Sequence, residues 1–200
     1  DLVVTKIHLA ERAIKDRIYL ALTSPVAQAN NLIDLETLVN TGTLGTINGG
    51  SDTFWQATVT ASGNFAAQGL TDMTTATYAV SSSSDTDNPT HYITNKTIFQ
   101  KFEQTRLPLE RISNSLTANA GFTNLTFKGK PVIYGNYVGT GLLFGLNFNY
   151  IYWAVDSATD FVTTPFISPT NQTVKVAYIL VRCNLITNNR RRNFKLTGLV

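Results

Sequence analysis

The run "TVKVAYILVRCNLI", Thr173 to Ile186, constrains this chain more than any other stretch, because it is apolar on both faces of a strand-period pattern. Val174, Val176, Tyr178 and Leu180 fall on one side of an extended chain, and Ala177, Ile179, Val181 and Leu185 on the other. A strand of that kind needs cover on both sides. Fourteen residues in this run, at about 3.3 Å each, reach roughly 45 Å, much longer than a typical strand. The expectation is an elongated domain rather than a sphere.

The 200 residues suffice for a sizeable core, as one domain or two small lobes sharing strands. Only 14% are charged against 43% hydrophobic, where a soluble domain carries roughly one quarter charged residues. So little charge predicts that much of the surface is covered by something else. The balance is also uneven. After Asp160 there is no acid, while Lys175, Arg182, Arg190, Arg191, Arg192 and Lys195 are basic, so of the net +3 the last forty residues carry +6 and the first 160 carry −3. One end of the molecule is electropositive.

Cys183 is the only cysteine, which excludes a disulfide framework and a cysteine-based zinc cluster, and its apolar surroundings predict a buried, unreactive thiol. Sequons occur at Asn95, Asn124 and Asn171, but a chain rich in Asn and Thr matches that pattern by chance. No stretch approaches about 18 uninterrupted apolar residues, so no membrane contact is expected. The sequence begins at Asp1 without a basic and apolar leader. That start reads as a processed or trimmed product.

Val3, Ile7, Ala10, Ile14 and Ile18 recur at helical spacing, which predicts an amphipathic helix to about Leu22, ended by Thr23, Ser24 and Pro25. "NTGTLGTINGGSD", Asn40 to Asp52, is a turn-rich loop that lacks the lysine and hydroxyl of a phosphate cradle. A strand is expected in "FWQATVT" from Phe54 and a helix over Gln68 to Val80, with Leu70, Met73, Thr74 and Thr77 on one face. "SSSSDTDN" is an exposed loop. "HYIT" from His91 is a strand, and Thr94 or Asn95 can cap a following helix that buries Ile98, Phe99 and Phe102 and stops at Pro108. Strands follow in "LTFKGKPVIY" from Leu125 and "LLFGLNFNYIYWAV" from Leu142.

No motif points to catalysis. Glu103 with Glu110 and Asp156 with Asp160 are the nearest acid pairs, and nothing in the sequence fixes either at an acid/base separation. His8 and His91 show no metal-ligand spacing, and neither H-E-x-x-H nor G-x-S-x-G occurs. The expectation is no enzyme, no metal and no cofactor.

Arg190 to Arg192, with Lys195 and Arg182, are the candidate functional residues. As a nucleic-acid patch the block would supply sequence-independent phosphate contacts. As an interface element it would pair with carboxylates of another copy, for which arginine's planar fork is suited. Successive residues point different ways, so the three serve different purposes, and pairing between subunits is favoured for at least one of them.

Three segments carry a resemblance: "AGFTNLTFKGKPVIYG", "LLFGLNFNYIYWAV" and "TPFISPTNQTVKVAYILVRCNLITNNRRRNFKLTGL". The pattern of Phe127, Lys128, Gly129, Pro131 and Val132, then Asn171, Gln172, Val176, Ala177, Ile179 and Leu180, then Asn189 to Arg192 with Leu196, Thr197 and Gly198, resembles the C-terminal half of tailed-bacteriophage major capsid proteins of the Hong Kong 97 type. "NPTHYITNKTIFQKFEQ" fits the same family more loosely. The resemblance covers roughly residues 31–200.

It implies an α+β fold with an elongated peripheral domain, formed by a spine helix and a long-stranded sheet, and an axial α/β domain. Residues 1–62 would hold the end of the spine helix and a connecting loop, 63–155 the axial domain, and 156–200 the return to the peripheral sheet. The N-terminal arm and extended loop of such proteins would be absent. The implied function is that of the major capsid protein of a tailed double-stranded DNA phage, assembled in the host bacterial cytoplasm into pentamers and hexamers of the virion head. Implied partners are other copies of the chain, scaffolding or decoration proteins, and packaged double-stranded DNA through non-specific contacts. Arg190, Arg191, Arg192, Lys195 and Arg182 would lie at interfaces between subunits. The alternatives are a nanocompartment shell protein of the same fold, a phage-associated polysaccharide hydrolase and a nucleic-acid-binding module.

Overall fold

The computed structural model describes residues 2–24, 32–81, 87–110, 125–170 and 172–200, except for the side chains of 106–110. The sequons at Asn124 and Asn171 and most of the serine-rich loop lie outside the described residues.

A six-stranded mixed sheet organises the larger lobe. Its strands are β1 (Thr58–Ala61), β2 (His91–Thr94), β3 (Thr126–Phe127), β4 (Lys130–Tyr134), β5 (Leu143–Leu146) and β10 (Phe194–Thr197), in the order β1-β10-β5-β2-β4-β3. The sheet thus draws on all three segments that the sequence divides at 62/63 and 155/156. The C-terminal strand lies one place in from the edge, parallel to the edge strand β1 and antiparallel to β5.

Strand alternation sorts the side chains of β5 onto two cores. Leu143 joins Phe194, Leu196, Tyr92 and Val132 beneath helices α3 (Leu70–Val80) and α4 (Lys96–Glu110), while Phe144 and Leu146 join Leu38, Val39, Ile151 and Leu185 on the other face. Gly145 is opposite Phe194 on one side and Tyr92 on the other. A Cβ there would lie 2.2 Å from the Phe194 ring. The glycine lets the two aromatic rings approach, at 6.2 Å between centroids.

The helix caps follow from local chemistry. The Asn95 side chain accepts from the Ile98 amide at 2.9 Å and starts α4. With Asn95 only 7% exposed and so engaged, its sequon is not a glycan site. The helix runs to Glu110 and so passes through Pro108, where a stop was expected. Pro108 has no N–H for the carbonyl four residues back, so the last turn continues one hydrogen bond short. A π-helical turn, Phe65–Gly69, leads into α3. The stretch read as a strand from Phe54 is instead a 3-10 turn, Thr53–Trp55, with β1 beginning at Thr58.

The smaller lobe consists of α1 (Leu2–Thr23) and two antiparallel ribbons. β6 (Ile151–Val155) pairs with β9 (Cys183–Thr187), and β7 (Val162–Thr163) pairs with β8 (Ile179–Leu180). The single long strand expected over 173–186 is therefore broken. At Val181 and Arg182 the chain leaves one ribbon for the other, the Arg182 amide donating to the Thr159 carbonyl and the Asp156 amide to the Arg182 carbonyl. Cover on both faces is missing too, since Val174, Tyr178 and Leu180 remain 54%, 62% and 44% exposed. A strand apolar on both sides is here a ribbon that its own chain leaves open.

Candidate assembly surface

The basic residues near the C-terminus separate into an interior set and an exterior set. Arg190 to Arg192 form a 3-10 turn, not an extended strand, so successive side chains splay about 120° apart. Arg190 is fully buried. Its Nε donates to the Leu38 carbonyl at 2.6 Å, Nη1 to the Gly42 carbonyl at 2.6 Å and Nη2 to the Thr37 carbonyl at 2.7 Å. Thr37 and Leu38 belong to the four-residue helix α2 (Leu35–Leu38), whose Asp34 cap accepts from the Thr37 amide and hydroxyl. The guanidinium thus satisfies end-of-helix carbonyls that would otherwise be orphaned. Burial pulls its pKa below the ordinary value, but an arginine remains a cation. Arg190 is enclosed in its own subunit and offers no donor to a neighbour.

Lys195 is likewise turned inward. It projects from β10 toward α2, with Nζ 3.2 Å from the Glu36 carbonyl and 3.7 Å from its carboxylate. Arg192 is three-quarters buried, with Nη2 3.0 Å from Asp87 and Nη1 donating to the Val80 carbonyl at the end of α3. Asp87 also accepts from the Tyr150 hydroxyl at 2.5 Å. These three cations fasten the C-terminal segment to α2, to the end of α3 and to Asp87 ahead of β2.

Two basic residues face outward. Arg191 is exposed. Arg182 has a side chain 79% exposed and lies 3.2 Å from Asp156. The Asp156 carboxyl is held below its usual range by the Ala158 amide, then by the Thr159 hydroxyl and by Arg182. It therefore organises a turn.

The larger exposed feature is apolar. On β6, Tyr152, Trp153 and Val155 are 45%, 43% and 38% exposed, and Ile186, opposite Tyr152 on β9, is 46% exposed. Phe166, Ile167 and Tyr178 are at least half exposed around β7 and β8. On α1 the expected apolar stripe exists, yet Val3 and Ala10 are exposed, and Ile7, Ile14 and Ile18 are only half covered. Between α1 and the 163–179 segment runs an open groove of about 930 Å³. The pattern of "IYWAV" marks a strand but not what covers it. The available signal was the absence of a polar face.

The residues weighed for catalysis are dispersed or otherwise engaged. His8 is on α1 beside Glu11 at 3.6 Å. His91 stacks on Phe148 at 4.7 Å, and burial, then Lys130, lower its pKa. Glu103 is on α4 and the Glu110 side chain lies outside the described residues. Cys183 is half-buried, and burial, reinforced by Asp160, raises its thiol pKa, the opposite of an activated nucleophile. Among the described residues no group of three His, Cys, Asp or Glu could hold a metal, and no helix is long and apolar enough to cross a membrane.

No protein-family model and no curated protein matches the chain. Solved structures do. A chain of the cyanophage A-1(L) capsid asymmetric unit matches with a TM-score of 0.66 at 16% identity, over 100% of this chain and 70% of that one. A chain of the capsid of Myoviridae phage XM1 matches with a TM-score of 0.61 at 14% identity, over 100% of this chain and 66% of that one. The match covers the sheet lobe, the ribbons and α1 together, so the fold is that of phage capsid proteins of the Hong Kong 97 type.

Proposed function

We propose that this chain is the major capsid protein of a tailed double-stranded DNA phage, packing with copies of itself into the pentamers and hexamers of an icosahedral head. The observation that carries the reading is the contrast in burial between a closed sheet lobe and an open lobe of α1 and ribbons, on a fold shared with phage capsid chains. Exposed apolar patches of this extent on soluble proteins mark interaction surfaces. Repeated over many copies in a symmetric shell, modest contacts add up to a stable particle.

In this reading the lobe with β1 to β5, β10, α3 and α4 is the axial domain, and α1 with β6 to β9 is the peripheral domain. The peptide passes between them after α1, and again near residues 147–151 and 187–193. Arg191 and Arg182 are the basic residues placed to meet carboxylates of neighbouring copies, and any contact with packaged DNA is made by such exposed cations without reading sequence. Scaffolding or decoration proteins would bind the assembled lattice. The place of action is the virion.

The test is electron microscopy of the protein expressed from its complete gene. Rings of five and six or closed shells that hold DNA after infection support the reading. A monomer at high concentration with no ordered assembly overturns it, and shells that enclose protein cargo without DNA replace it with the nanocompartment.

A further inference from the structure

We propose that Phe54 of one copy seats in the groove between α1 and the 163–179 segment of another, with Asp52 of the first facing Lys6 and Lys175 of the second. The inference rests on the shell reading and adds to it a named pair of surfaces.

The groove sets the chemistry of its occupant. Val3, Ile7 and Ile14 line it from the helix, and Phe166, Val176 and Ile179 from the opposing segment. Its charged lining residues are Lys6 and Lys175, both cations. An apolar cleft of that size flanked by two ammonium groups fits a large apolar side chain carried beside a carboxylate.

Most carboxylates of the described side chains are already engaged. Among the described residues, Glu11 meets His8, Asp34 caps α2, Glu36 meets Lys195, Asp72 accepts from Ser62, Asp87 holds Arg192, and Asp156 organises its turn. Asp16 and Asp160 belong to the lobe that contains the groove, and Glu103 follows the buried Phe102 on α4. Asp52 is different. It lies on the other lobe, two residues before Phe54, which at 63% exposure is the most exposed phenylalanine among the described residues.

The backbone holds this knob in place. The Trp55 amide donates to the Asp52 carbonyl at 2.9 Å and the Asp52 amide to the Asn48 carbonyl at 2.9 Å, so the ring is presented on a formed turn and little conformational freedom is lost on docking. Knob and groove are different surfaces of the same chain. Their contact is head-to-tail, the type that closes into rings when the rotation permits.

Two variants in a Cys183→Ser background test the contact directly. Thr53→Cys and Ala177→Cys proteins, which keep the Phe54 ring, mixed under assembly conditions with mild oxidant, should form a disulfide-linked pair at least about tenfold faster than Asn136→Cys mixed with Ala177→Cys, because docking raises the effective concentration. Separately, Asp52→Lys and Lys175→Glu should each reduce particle yield severalfold, and combining them should restore it. Neither Thr53 nor Asp52 is in a core, so folding is unaffected. If particles form normally while the Thr53 pair links no faster than the control and both charge variants assemble, the inference is overturned and the shell reading stands. If the unmodified protein forms no ordered assembly, the shell reading falls first and takes the inference with it.

Discussion

Both lobes of this molecule build their strands largely from apolar residues, which one lobe buries and the other leaves open. In the sheet lobe Phe144, Phe194, Leu143, Leu146 and Leu196 are essentially inaccessible, and the cations that enter it, Arg190 and Lys195, find partners within it. In the ribbon lobe Tyr152, Trp153, Ile186, Phe166 and Tyr178 stay open. The difference lies in layers. A sheet with helices on one face and the α2 region on the other closes on itself, whereas a two-stranded ribbon cannot bury either face alone. The lobe that lacks a second layer is the one that needs other copies.

That contrast predicts unequal costs of mutation. The largest is expected at Arg190. Arg190→Met removes three charge-assisted bonds and leaves buried carbonyls of Thr37, Leu38 and Gly42 without donors, a loss of about 3–5 kcal/mol. Denaturant unfolding of the lone chain should show it, and a loss under roughly 1 kcal/mol would mean that water replaces the guanidinium. In the same lobe, Phe144→Ala should cost a comparable or slightly smaller amount, about 3–4 kcal/mol, by opening a cavity.

A smaller effect sharpens the cap assignment. Asn95→Ala removes the acceptor of the Ile98 amide and should cost about 1 kcal/mol, with Asn95→Asp retaining most of the stability. On the ribbon, Tyr152→Ser combined with Ile186→Ser should move the stability of the lone chain by only about 0.5 kcal/mol while reducing particle yield sharply. Equal losses in lone chain and particle would break the comparison between lobes.

The smallest effect concerns pH. The Asp156 carboxyl has its pKa lowered in the folded chain from 3.8, first by the Ala158 amide. Its contribution is therefore present above the unfolded value and is lost as pH falls through the folded value. Amide exchange at Ala158 and Thr159 should accelerate only in that acid range, and an onset near neutrality would assign the turn to another group.

The contrast also explains what the sequence could disclose. Local patterns were sufficient for α1 and for α4 with its Asn95 cap, but "LTFKGKPVIY" read as strand without the hairpin turn at Lys128–Gly129, whose φ angles are 50° and 75°. Patterns dependent on distant partners were not. Whether Val174 to Ile186 makes one strand or parts of two depends on which ribbon each half pairs with, and that is set by β6 and β7 more than fifteen residues upstream. The block of three arginines read as surface because nothing local reveals that Arg190 reaches carbonyls about 150 positions away. An apolar strand in sequence states only that cover is needed, and here part of the cover comes from outside the chain.

The most direct test of that claim is amide hydrogen exchange on the lone subunit and on assembled particles. The account predicts slow exchange in β2, β5 and β10 in both states, and fast exchange in α1 and in β6 to β9 that slows markedly on assembly. Ribbons already as protected in the lone subunit as the central sheet, or unchanged in the particle, would contradict it.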